Sequence, residues 1–117
     1  DELLVPLQTE FFALEGISQL VKTIERIKIN LNPTLKIRGI LLTMFDKRNK
    51  LSTQVDDEAR KHFKDKVYKT VIPRNVRLSE APSHGVPCIL YDKACLGSQS
   101  YISLAKEFID QGKAIRD

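Results

Sequence analysis

The chain has 117 residues, 42% of them hydrophobic and 29% charged, a balance that suits one globular domain, or part of one, and excludes a disordered chain. No apolar run approaches the roughly 18 residues that a membrane-spanning helix needs, and no basic stretch leads into an apolar core as a signal peptide would. The net charge of +4 is uneven: Asp46 to Arg77 holds ten lysines and arginines against five acids, and the remainder nine against ten, which fits a polyanion partner or, more plainly, a solvated face.

Leu3-Leu4-Val5-Pro6-Leu7 reads as a short buried strand. Asp1 leads into it almost at once, which suggests a trimmed or processed chain. Leu14, Ile17, Leu20, Val21, Ile24, Ile27 and Leu31 then recur at helical spacing, and Asn30, Asn32 and Pro33 end that helix. A near-continuous apolar run from Leu35 to Met44 predicts a parallel strand covered on both faces. After a charged loop, Phe45 to Lys50, the spacing of Leu51, Val55, Ala59 and Phe63 predicts a second helix. Lys66 to Ile72 is the next expected strand, Val76 to Ser83 a short helix, and Pro87 to Tyr91 a short extended piece. A last helix carries Tyr101, Leu104, Ala105, Phe108 and Ile109, with Ser100 as its expected cap and a fraying polar tail from Asp110 to Asp117. Strands alternating with helices argue for an α/β fold, a parallel sheet with flanking helices. Three or four strands are few for it, so the chain reads as half of a doubly wound domain.

The densest chemistry lies in VIPRNVRLSEAPSHG, residues 71–85. Pro73 ends the strand, and Arg74 and Arg77 leave its carboxyl end, where open α/β sheets bind ligands. An ordinary strand-to-helix turn with solvated arginines is the competing reading. The five glycines, Gly16, Gly39, Gly85, Gly97 and Gly112, lie too far apart for a phosphate-cradling loop. Ser79, Ser83 and His84 share one loop with nothing to orient the histidine, so they do not read as a nucleophile and base. His62 and His84 are far apart and no ligand cluster joins them, so no metal site is expected. Cys88 and Cys95, with six residues between them, match neither a redox CxxC nor a zinc knuckle. The spacing allows a disulfide without suggesting one, and a reducing cytoplasm is the simpler reading.

Across nearly its whole length the chain resembles the C-terminal half of the ParA/Soj chromosome-partitioning ATPases, in the deviant Walker class of P-loop proteins. The segments that carry the likeness are LLVPLQTEFFALEG (3–16), GILLTMFDKR (39–48), KVYKTVIPRNVRLSEAPSHG (66–85) and, more weakly, YDKACLGSQSYISLAKE (91–107). The resemblance implies a partial Rossmann-like P-loop fold, residues 1–117 forming its C-terminal half, with the Walker A and Walker B regions absent. It implies an intact parent that binds ATP and Mg2+, dimerises, binds DNA without sequence preference and answers a ParB-type centromere-binding protein, in the cytoplasm and on the nucleoid. This chain, lacking the phosphate loop, is expected to hold no cofactor tightly and to hydrolyse no ATP.

The same resemblance assigns positions. Met44, Pro73, Arg74 and Asn75 border the adenine. Arg48 and Arg77 bind DNA, and Lys47 and Lys50 add charge. Arg48 sits in DKRNKL, where relatives more often have a small residue and a Thr-Asn pair, so the loop shape is left open. Gln8, Glu10, Phe12 and Glu15 fall near the dimer interface, with core packing an equal reading of Phe12. Cys88 and Cys95 stand where relatives usually have aliphatic or polar residues and read as tolerated substitutions. Two other readings compete: a membrane-associated relative that positions the division site, disfavoured by the charged Lys106 to Asp117 tail, and a stand-alone, non-enzymatic DNA-binding module.

Overall fold

In the computed structural model, which describes residues 2–9 and 13–116, two strands and five helices follow one another along the chain, strands alternating with helices only over the first four of these elements. They are β1 (Glu2–Gln8), α1 (Ala13–Asn30), β2 (Lys36–Thr43), α2 (Lys50–Phe63), α3 (Val76–Glu80), α4 (Cys88–Tyr91) and α5 (Leu96–Arg116). Single 3-10 turns follow α2 at Lys64–Lys66 and α3 at Ala81–His84. Glu10 and Phe12, assigned above to a dimer interface, lie outside the described residues.

β1 and β2 pair in parallel from Glu2 opposite Lys36 to Gln8 opposite Thr43. The register slips between Leu3 and Leu4, leaving Arg38 as the extra residue on β2. The apolar alternation of β2 divides the core. Ile40 and Leu42 pack with Ile17 of α1 and with Val55 and Ala59 of α2. Leu41 faces the other way, with Tyr68 and Ile72, against Leu78 of α3 and Leu104 of α5. Helices therefore cover both faces of the parallel sheet, as the alternation predicts. β1 is less covered than its sequence suggests, since Leu4 remains 37% exposed.

The expected strand at Lys66 to Ile72 is only partly a strand. Val67 and Pro73 make isolated parallel bridges to Ile40 and Phe45 of the neighbouring segment. The Tyr68 N–H donates to Ile40 O at 3.0 Å and the Ile72 N–H to Leu42 O at 2.8 Å. Four residues here thus span two on β2, and the surplus bulges outward. Its backbone donors are not lost: the Lys69 and Thr70 N–H groups donate to the two carboxylate oxygens of Glu107, at 2.7 and 2.9 Å. A side chain on α5 has replaced part of the sheet ladder. Burial pushes the Glu107 carboxyl up, but the two backbone donors outweigh it and its pKa lies below the ordinary 4.5. Its stabilising effect is therefore complete above the unfolded-state value and fades as pH falls through the lower folded-state value. We expect Glu107→Ala to cost about 1–2 kcal/mol at neutral pH, after screening at this partly exposed site. The gap between the urea midpoints of the two proteins should narrow as pH falls through the carboxylate range; a gap unchanged in acid would contradict this role.

Three further expectations are corrected. Residues 87–91 are not extended: Pro87, with φ −64°, stands at the start of α4, and its carbonyl accepts from the Leu90 and Tyr91 N–H groups. Ser100 does not cap the last helix, which begins a turn earlier, at Leu96. Nor does that helix fray from Asp110, because it continues to Arg116. Gln111 pins it: its amide donates to Arg38 O at 2.8 Å, and its carbonyl accepts from Tyr68 Oη and Arg38 Nε, both at 3.0 Å.

Candidate functional site at the strand ends

The carboxyl ends of β1, β2 and the 67–73 segment open on one side of the sheet. Thr9, fully buried just after β1, ties these ends together: its N–H and hydroxyl both donate to Thr43 O, at 2.9 and 3.0 Å. Ser52, also buried, lies 3.3 Å from the Thr9 hydroxyl and accepts the Asp46 N–H at 3.3 Å, which fixes the start of α2 to the same place.

Met44 leaves β2 with φ 56°, in the left-handed region. That conformation costs an unbranched residue about 1 kcal/mol or more, and it persists only where neighbours impose it. Here they do: the Phe45 N–H donates to Ile72 O and the Arg74 N–H to Phe45 O, both at 3.0 Å. The reversal turns Met44 into a cavity of about 420 Å³ lined also by Gln8, Pro73, Arg74 and Asn75. All four residues assigned to adenine thus converge, joined by Gln8. The sequence reading missed Thr43, Ser79 and Tyr101, which line the same cavity. Tyr101 had registered only as an apolar helix position, and nothing local signalled its approach.

Asn75 has a structural duty as well. Its side-chain oxygen accepts the Arg77 N–H at 3.0 Å and caps α3. That leaves its NH2 group directed by the cap and available to a ligand acceptor.

Pro73 and Arg74 also form one wall of a second cavity, about 440 Å³, whose rim carries Asp46, Lys47 and Arg48. The Arg48 side chain is 91% exposed, with Asp46 alongside at 3.3 Å. The Arg48 backbone N–H, then its guanidinium, hold the Asp46 carboxyl below its usual range. Lys50 lies outside this rim, exposed at the first position of α2, behind the Asn49 cap.

Arg77 is placed differently. Its guanidinium meets Glu80 at 3.0 Å and Asp92 at 3.4 Å, and lies 6.0 Å from the Tyr91 ring centre. Tyr91 donates to Glu80 at 2.9 Å. That bond, reinforced by Arg77, keeps the Glu80 carboxyl below its usual range. So the two predicted DNA arginines are in different states, one extended into solvent and one clasped by two carboxylates. Glu15 is exposed near the start of α1 and lines neither cavity. A larger groove of about 760 Å³, over Leu4, Leu78, Leu104 and Phe108, contains none of the assigned residues. Among the described residues, no group of three or more metal-ligating side chains occurs, and no helix is long and apolar enough to cross a membrane.

A parallel sheet with helices on both faces defines an α/β domain, and its polar cavity lies outside the strand ends, where open sheets of this class bind ligands. The chain belongs to the CobQ/CobB/MinD/ParA nucleotide binding domain family, whose pattern matches residues 3–88. It is 60% identical over 111 residues, 95% of its length, to the chromosome partitioning protein ParA of Caulobacter vibrioides. It is 55% identical over 112 residues to the sporulation initiation inhibitor protein Soj of Bacillus subtilis. It spans 42% and 44% of those two proteins. Among solved structures, 96% of the chain superposes on cobyrinic acid a,c-diamide synthase from Mycobacterium smegmatis, crystallised with ADP and magnesium, with a TM-score of 0.67 and 26% identity over 39% of that protein. The same enzyme with an ATP analogue and magnesium gives a TM-score of 0.64 at 28% identity.

Proposed function

We propose that this chain supplies the base-binding and DNA-facing side of a chromosome- or plasmid-partitioning ATPase. The observation that carries the reading is the convergence of Met44, Pro73, Arg74 and Asn75 on one cavity at the strand ends. Met44 offers a polarisable wall for the flat face of a purine, and Asn75 and the backbone near Pro73 offer polar groups for its edge. The phosphates and Mg2+ would be held by a glycine-rich loop outside this chain, in the remainder of the parent. Without that loop the chain binds nucleotide weakly and does not turn it over. In the intact parent, ATP would drive dimerisation, with Gln8, Glu10, Phe12 and Glu15 near the interface. The dimer would then coat DNA through Arg48 and Arg77, aided by Lys47 and Lys50, until a ParB-type protein stimulates hydrolysis. A cytoplasmic, nucleoid-associated protein follows from that cycle.

Photolabelling tests the base site. Irradiating the chain with 8-azido-ATP should mark peptides containing Met44 or Pro73 to Asn75, and excess adenosine should remove the label. Labelling confined to other peptides, or indifferent to adenosine, would count against the assignment.

A further inference from the structure

Cys88 opens α4 and Cys95 immediately precedes α5. Their sulfurs lie 3.6 Å apart, although six residues separate them in sequence. Both are half-buried free thiols. A disulfide bond of about 2.05 Å requires the sulfurs to close by roughly 1.5 Å, which a short turn between two helices can absorb.

Cys95 occupies the N-cap of the 21-residue helix α5. Its carbonyl accepts the Gln99 N–H at 3.0 Å, the first bond of the helix, and its sulfur accepts the Ser98 N–H at 3.4 Å. Fully buried Ser98 stands between the two thiols, its hydroxyl 3.3 Å from the Cys88 sulfur and 3.4 Å from that of Cys95. The same hydroxyl reaches Asp92 O at 2.6 Å, which fixes the turn joining the helices. A thiol at a helix N-terminus, hydrogen-bonded to backbone N–H, is placed to ionise and react.

We propose that Cys88 and Cys95 are a redox-active dithiol that closes to a reversible disulfide on exposure to a low-molecular-weight disulfide such as oxidised glutathione. Cys95 attacks first. Its thiolate displaces one glutathione thiolate and forms a mixed disulfide. The Cys88 thiolate then attacks the Cys95 sulfur and expels the second glutathione. Two electrons pass from protein to glutathione, and the two protons lost by the cysteines end on the two reduced glutathiones released. The order follows from the environment. Ser98, through its side chain and then its backbone N–H, holds the Cys95 thiol below its ordinary range. Ser98 also pulls Cys88 down, but burial and the neighbouring Cys95 sulfur outweigh it and leave that thiol raised. In a reducing compartment such a pair rests as thiols and closes only when the poise shifts.

The test equilibrates the chain in buffers of graded reduced-to-oxidised glutathione ratio, quenches with an alkylating agent and maps the peptides by mass. Expected is loss of both free thiols together, with an internal Cys88–Cys95 link that excess reductant reverses. Cys88→Ser should trap a single glutathione on Cys95, whereas Cys95→Ser should acquire glutathione on Cys88 about tenfold more slowly. Two thiols that persist in fully oxidised glutathione, stable double glutathione adducts, or bridges only between separate chains would overturn the proposal. Equal rates for the two serine variants would overturn the assigned order.

Discussion

Arg48→Ala should weaken sequence-independent DNA binding by this chain about tenfold at low salt, and Arg77→Ala by only about threefold, because the two guanidiniums start from unequal states. Arg48 extends into solvent, with one carboxylate beside it at 3.3 Å. Arg77 already answers Glu80 and Asp92, so a phosphate must share or displace them. A guanidinium can serve both through its planar fork, at a cost in what the phosphate gains. Removing both arginines should make the plot of log affinity against log salt shallower by about two, close to 0.9 for each phosphate no longer neutralised. Glu80→Gln should act in the opposite direction, strengthening DNA binding by loosening the clasp on Arg77. Equal effects of the two single variants, or an unchanged salt slope in the double variant, would remove this surface from the account.

Gly39→Ala should be among the most damaging single changes to the fold. A methyl group there would lie 2.3 Å from Tyr68 Cε2 and 2.7 Å from its hydroxyl. The ring has nowhere to retreat: Tyr68 is 3% exposed, and its hydroxyl is bonded to Gln111 at 3.0 Å. Overpacking of this kind costs about 3 kcal/mol, a fall in Tm on the order of 12 °C or more for a chain of this size. Tyr68→Ala should itself cost about 3–4 kcal/mol through the cavity it leaves. Combining the two changes relieves the clash, so the double variant should be about as stable as Tyr68→Ala alone rather than worse by the sum. Additive effects would mean that Gly39 matters for some reason other than the ring above it.

The parts of the fold written in local pattern were legible in the sequence. The apolar stripe from Ile17 to Ile27 does form α1, and Val55 and Ala59 are buried on α2 as their spacing requires. Ile40, Leu41 and Leu42 form the buried centre of β2. What escaped depends on partners far away in the chain. The ladder at residues 67–73 is interrupted because Glu107, nearly forty residues on, takes two of its N–H groups. The polar tail holds because Gln111 finds Arg38 and Tyr68. Cys95 caps α5 through a sulfur, a role that a search for serine or threonine overlooks.

The candidate site divides the same way. Pro73 marked the strand end and Met44 was assigned by likeness, but only the fold reveals that a left-handed turn at Met44 brings them into one cavity. The two arginines proposed to face DNA looked equivalent in the sequence. Arg77 differs in having a second carboxylate beside Glu80, that of Asp92, fifteen residues beyond it and delivered by α4, which the sequence reading had taken for extended chain.

Met44 is the only methionine in the chain, so a methyl-labelled sample gives one methionine resonance, from the wall of the proposed base site. Titration with adenosine should move that resonance, and ATP should move it in the same direction, while tripolyphosphate leaves it in place. A resonance that stays fixed under adenosine, or that responds equally to tripolyphosphate, would contradict the claim that this chain holds the base side of a nucleotide site.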